Sequence, residues 1–184
     1  MRYLVFFISV VFVLSACLVV AQSNKADFSG EWAFNADQSE MGGPPSGSPP
    51  GGGQGGGPPA GGRGGMMNAS KMIITQEANK LTVNTIRQGF DGNEMSMVST
   101  YTLDGKTSTN ASDFGTTTSV ANWSNDGKIL TIKSSMTMSR GDQAFTMDST
   151  EKYSLNKSML VIETTRSTPM GDMTSKAVYD KTEK

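Results

Sequence analysis

The chain has 184 residues, with 16 Lys and Arg against 17 Asp and Glu, one Cys and no His. The lack of His excludes His-based catalytic triads, His general bases and the common His/Cys zinc sites. A nearly neutral chain without a basic block also argues against nucleic-acid binding, and its length is that of one domain.

The chain begins with an apolar leader, which covers residues 3–21 and follows the single basic residue Arg2. This pattern predicts a signal peptide over residues 1–21 that is cleaved after Ala21. Two alternatives remain: Cys17 ends a lipobox-like sequence and would be lipidated, or the leader stays uncleaved as an anchor. We therefore expect a secreted or periplasmic protein, with a lipoprotein anchored at Cys17 as the alternative. Membrane contact is expected only if the leader is uncleaved or Cys17 is lipidated.

A Gly/Pro-rich tract occupies residues 42–65, where 13 Gly and 6 Pro fill 24 positions. Such a segment has almost no side chains to bury, so we predict a disordered loop. The tract divides the mature chain into residues 22–41, which carry the first strand, and residues 66–184, which carry the rest of one β-domain.

From residue 70 onward, apolar and polar side chains alternate with period two, and Asn, Asp and Gly mark the turns. This pattern is typical of antiparallel hairpins. The segments Trp123–Ile132 and Tyr153–Ile162 also superpose with an offset of 30 residues, as two related hairpins would. We predict an all-β, up-and-down meander closed into a single barrel of about eight to ten strands, because closure removes exposed sheet edges.

Motifs at both ends of this meander resemble those of calycins. Phe28-x-Gly30-x-Trp32 is similar to the first strand of lipocalins and, more closely, of fatty-acid-binding proteins, and residues 174–181 are similar to the last strand of the latter. The chain also resembles bacterial secreted lipocalin-like proteins of unassigned function. The resemblance implies a ligand-carrying barrel in which Gly30 and Trp32 are structural.

The chain departs from the fatty-acid-binding proteins at two places. Their carboxylate-binding Arg lies two residues before the last-strand Tyr; Tyr179 matches this Tyr, but Ala177 replaces the Arg. The Gly/Pro-rich tract also stands where they have a helical lid. The cation that covers the Trp in lipocalins is Lys176 or Lys181 in this chain.

The phase of the alternation predicts which side chains face the barrel interior. Arg87 and Arg166 are the candidate inward cations, although each also fits a solvated rim, and Glu151 points inward beside Tyr153. The abundant Met side chains fill an irregular core or form an adaptable cavity wall. The predicted apolar pocket consists of Met97, Tyr101, Met136, Phe145, Met147 and Tyr153, with Tyr179 as a further lining residue.

These residues predict a non-enzymatic binder of a small apolar molecule. No nucleophile motif or second acid accompanies Glu151, so we expect no enzyme, and we expect no cofactor and no metal. The alternative is a structural or protein-interaction barrel of the cell envelope, filled by its own side chains. We expect a monomer.

Overall fold

The computed structural model describes residues 25–40, 69–89, 92–112, 115–140, 143–168 and 171–182. The predicted signal peptide, Cys17 and the Gly/Pro-rich tract at residues 42–65 lie outside these ranges. In the described part of the chain, no helix has the length and apolar character needed to cross a membrane.

Ten antiparallel strands form one sheet, which confirms the predicted all-β meander. Each strand from β1 to β4 and from β5 to β10 pairs with its neighbours in sequence, and β10 pairs with β1. The strand order is β4-β3-β2-β1-β10-β9-β8-β7-β6-β5, and its two edge strands, β4 and β5, contact each other, so the barrel is nearly closed. The strands are β1 Gly30–Glu40, β2 Lys71–Glu77, β3 Lys80–Gln88, β4 Glu94–Thr102, β5 Thr107–Ser112, β6 Gly115–Trp123, β7 Ile129–Arg140, β8 Gln143–Asn156, β9 Met159–Thr168 and β10 Gly171–Lys181.

The two hairpins predicted from the internal repeat are present, but their registers differ. Trp123 pairs with Leu130 across the β6–β7 turn, whereas the equivalent Tyr153 pairs with Ile162. The β8–β9 turn is tighter because Lys157 adopts the left-handed conformation, with φ 56°. The repeat therefore predicts the hairpins and misses a register difference of two residues, which depends on turn geometry.

A short segment before β1 crosses one end of the barrel. The Ala26 N–H donates to the Gly127 carbonyl (2.8 Å), and the Gln76 side chain donates to the Ala26 carbonyl (2.8 Å) and accepts from the Phe28 N–H (3.1 Å). Phe28 is fully buried and stacks on Trp123, with ring centroids 5.7 Å apart. Phe28 therefore seals this side of the barrel, which we call the closed end.

The two edge strands meet at a seam formed by β4 and β5. Asn110 accepts from the Thr100 N–H at 2.8 Å and donates to the Thr100 carbonyl at 3.1 Å. Ser108 Oγ accepts from the Thr102 N–H at 2.8 Å. Side chains thus satisfy backbone groups that a neighbouring strand would pair in a continuous sheet.

Candidate functional site

The barrel interior contains two adjoining cavities, of about 370 and 110 Å³. They have lining residues in common, so we treat them as one interior cavity. Its larger part lies within the usual size range of small-molecule pockets, about 300–1,000 Å³. The residues common to both parts are Arg87, Met97, Ser99, Tyr101, Glu151 and Arg166.

The structure brings most of the predicted pocket residues together around this cavity. The predicted residues that line it are Met97, Tyr101, Met136, Met147, Tyr153, Tyr179, Arg87 and Arg166.

Phe145 is the exception and corrects the prediction. It is 48% exposed and lines neither part of the cavity. Its portion of β8 pairs with β7 but not with β9, since the β8–β9 pairing begins at Ser149. The alternation places Phe145 in phase with Met147, but Phe145 lies further along the part of β8 that extends beyond β9, outside the cavity mouth that Met147 lines.

Cross-strand pairs divide the interior into layers. At the closed end, Leu130 and Tyr153 pair within the buried core. Toward the other end, Met136 and Met147 pair and line the cavity mouth, where Met147 is 41% exposed. Between these layers lie two polar rows, which we call the polar belt: Ser119, Ser134, Ser149 and Arg166 in one row, and Glu151 with Thr164 in the next.

Glu151 is the acidic group of the polar belt. The Tyr153 hydroxyl donates a hydrogen bond to its Oε2 at 3.3 Å. Burial raises the pKa of Glu151 above its ordinary 4.5, while this hydrogen bond and the charges of Arg166 and Arg87 act in the opposite direction. The free energy that the ionised carboxylate loses on leaving water is therefore larger than the free energy that its hydrogen bond and the two arginine charges supply.

The tyrosines around Glu151 remain neutral. Burial, followed by the charge of Glu151, raises the pKa of Tyr101 and Tyr153 well above the ordinary 10.0. Burial also raises the pKa of Tyr179 to about 12. All three hydroxyls are therefore hydrogen-bond donors over the physiological pH range.

Two arginines add positive charge to the cavity. Arg87 from β3 and Arg166 from β9 line both parts of it. Within the described residues, the buried Nε of Arg87 has no hydrogen-bond partner. A buried donor of this kind is energetically costly until something accepts its hydrogen bond. The cavity can therefore bind a molecule that has an acceptor or anionic group.

Contacts at the closed end show which of the two lysines covers Trp32. Lys181 Nζ lies 5.3 Å from the centroid of the Trp32 ring, whereas Lys176 forms an ion pair with Glu40 at 3.8 Å. Gly30 has φ +140°, and a Cβ there would lie 2.8 Å from Lys181 Cε. The positive φ therefore favours glycine at this position, beside the lysine that covers Trp32.

Several residues that shape the site were not predicted from the sequence. Ser134 and Ser149 stand in the predicted inward phase, which was the available signal for the polar belt. Asn110 had no such signal, and the motif that contains Phe28 did not predict its contacts with Gln76 and Trp123, which are distant in sequence. Among the described residues, no group of three or more His, Cys, Asp or Glu side chains is placed to hold a metal ion.

No protein-family model and no curated protein matches the chain. Among solved structures, the chain is similar to a secretary abundant heat soluble (SAHS) protein from Ramazzottius varieornatus, with 10% identity, a TM-score of 0.50 and coverage of 84% of this chain and 95% of that one. It is also similar to zebrafish ileal bile acid-binding protein complexed with cholic acid, with 14% identity, a TM-score of 0.49 and coverage of 84% and 98%. At 10% identity the likeness to the SAHS protein shows the fold alone, a nearly closed antiparallel β-barrel.

Proposed function

We propose that the protein is a secreted or periplasmic, non-enzymatic carrier that binds one small amphipathic molecule inside the barrel. The observation that carries this proposal is the interior cavity, in which Arg87, Arg166 and Glu151 lie beyond a methionine-lined mouth. A filled interior, as a purely structural barrel would have, leaves no such space.

The polarity of the cavity sets the chemistry of this ligand. Met97, Met136 and Met147 offer an apolar wall to a hydrocarbon segment. The two arginines offer charged donors to an acidic head, and hydrogen bonds to charged groups contribute about 1.5–3 kcal/mol each. A purely apolar ligand would leave these donors without an acceptor, so an amphipathic acid fits better.

The test is a fluorophore displacement titration on the chain from Gln22 onward, which contains every described strand. An environment-sensitive naphthalene sulfonate should bind saturably, and dodecanoate should displace it more strongly than dodecanol. Arg166→Gln and Arg87→Gln should each weaken dodecanoate by roughly tenfold, with little effect on dodecanol.

Lys133→Gln is the matched control, because it removes a positive charge from an exposed position on β7. This variant should bind dodecanoate as the unaltered chain does. If the fluorophore shows no saturable binding, the carrier proposal is wrong. If binding is saturable but ignores both arginine substitutions, the protein is a carrier whose pocket recognises only apolar groups.

A further inference from the structure

Glu151 sets this cavity apart from a simple acid-binding site. The charged or titratable groups that interact with it come from four other strands and from its own. Tyr153 on β8, Arg166 on β9 and Arg87 on β3 act on its carboxyl group, and the charge of Glu151 in turn acts on Tyr101 on β4 and Tyr179 on β10.

The carboxyl group of Glu151 has acceptor capacity that the described residues do not use. An ionised carboxylate can accept about four hydrogen bonds, and Tyr153 donates one, at the long distance of 3.3 Å. The other two tyrosines also interact with groups other than Glu151, Tyr101 with Ser99 and Tyr179 with the backbone of Ala69. Because Glu151 lines both parts of the cavity, its unused capacity faces the ligand space.

This arrangement disfavours a plain fatty acid. A carboxylate held by Arg87 and Arg166 would stand beside a second carboxylate, and two such groups in one buried site cannot both stay ionised without cost. A hydroxyl group on the ligand, close to its carboxylate, offsets this like-charge repulsion, because it donates a charge-assisted O–H···O⁻ hydrogen bond to Glu151.

We infer that the ligand is a hydroxylated carboxylic acid with an apolar chain, whose acid group binds Arg87 and Arg166 and whose hydroxyl donates to Glu151. This inference rests on the proposed carrier function and deepens it by naming the class of ligand. It makes Glu151 the residue that selects between plain and hydroxylated acids.

The experiment compares dodecanoate with 2-hydroxydodecanoate and 3-hydroxydodecanoate as displacers of the naphthalene sulfonate, at one neutral pH and one salt concentration. At least one hydroxy acid should bind roughly tenfold more tightly than dodecanoate, as one hydrogen bond to a charged group provides. In Glu151→Gln the ratio should fall to about twofold or less, because the like-charge repulsion disappears and the remaining acceptor is neutral.

Asp148→Asn is the matched control, since it removes a negative charge from an exposed position on the same strand. The ratio in this variant should equal that of the unaltered chain. Equal affinities for plain and hydroxylated acids in the unaltered chain would overturn the inference, even if Glu151→Gln failed to fold. A tenfold ratio that persists in Glu151→Gln would overturn it as well. Saturable fluorophore binding in the unaltered chain separates both results from failure of the carrier proposal.

Discussion

At the scale of single residues, Glu151 carries an energetic cost that its neighbours only partly offset. Burial outweighs the hydrogen bond from Tyr153 and the charges of Arg166 and Arg87, so the pKa of this carboxyl group is raised. A carboxyl group with a raised pKa in the folded state destabilises that state when it is ionised. The group lies at a site that is already polar, which agrees with a role in binding.

Glu151→Gln should therefore stabilise the protein at neutral pH, by an amount that shrinks on acidification. Between the unfolded-state pKa, near the ordinary 4.5, and the raised folded-state pKa, the folded chain binds a proton that the unfolded chain does not. The destabilisation caused by ionised Glu151 is complete above the folded-state pKa, and it disappears as the pH falls to the unfolded-state pKa. Urea unfolding of both proteins at neutral pH and near pH 4.5 measures it, with Asp148→Asn as the control. A gain in stability that does not change with pH would contradict the argument.

At the scale of secondary-structure elements, the seam is where the barrel depends on side chains for closure. Asn110 bonds both backbone groups of Thr100, and it also lines the cavity beside Ser99 and Tyr101. The seam is therefore both the boundary of the sheet and a wall of the candidate site.

Asn110→Ala should lower the free energy of unfolding by about 1–2 kcal/mol, because it leaves the N–H and carbonyl of Thr100 without these partners. Hydrogen exchange at the Thr100 amide should also become faster, whereas exchange in the β7–β8 ladder should not change. The control is Thr109→Ala, at the exposed neighbouring position of β5. Equal exchange rates at Thr100 in the two variants would show that Asn110 does not hold the seam.

Strand pairing determines how much of the site could be predicted from the sequence. Period-two alternation places Arg87, Arg166 and Glu151 inside the barrel because the side-chain period of a strand is two wherever the strand is paired. It fails at Phe145, since the alternation does not show where a neighbouring strand ends. The alternation also does not predict the contacts of Phe28 or Asn110, which depend on Gln76 in β2 and Thr100 in β4.

At the scale of the whole molecule, the buried side chains of the described strands form one core. Buried side chains from β1 at Trp32 to β10 at Tyr179 belong to a single cluster that includes Phe28. The chain returns to the sheet beside β1, where the Phe34 N–H donates to the Ser70 carbonyl at 3.0 Å. We therefore predict that the Gly/Pro-rich tract affects stability through loop closure alone.

Replacing the 24 residues 42–65 by a Gly-Ser linker of about six residues halves the loop twice, and each halving returns roughly 0.6 kcal/mol of closure entropy. For a chain of this size, the Tm should rise by a few degrees at most, since about 1 kcal/mol corresponds to roughly 2–4 °C. Thermal unfolding followed by circular dichroism measures this shift, and the displacement titration should give the same fluorophore affinity. A fall in Tm of about ten degrees or more would show that the tract packs against the barrel. The tract would then be part of the core, and the boundary drawn at residues 42–65 would be wrong.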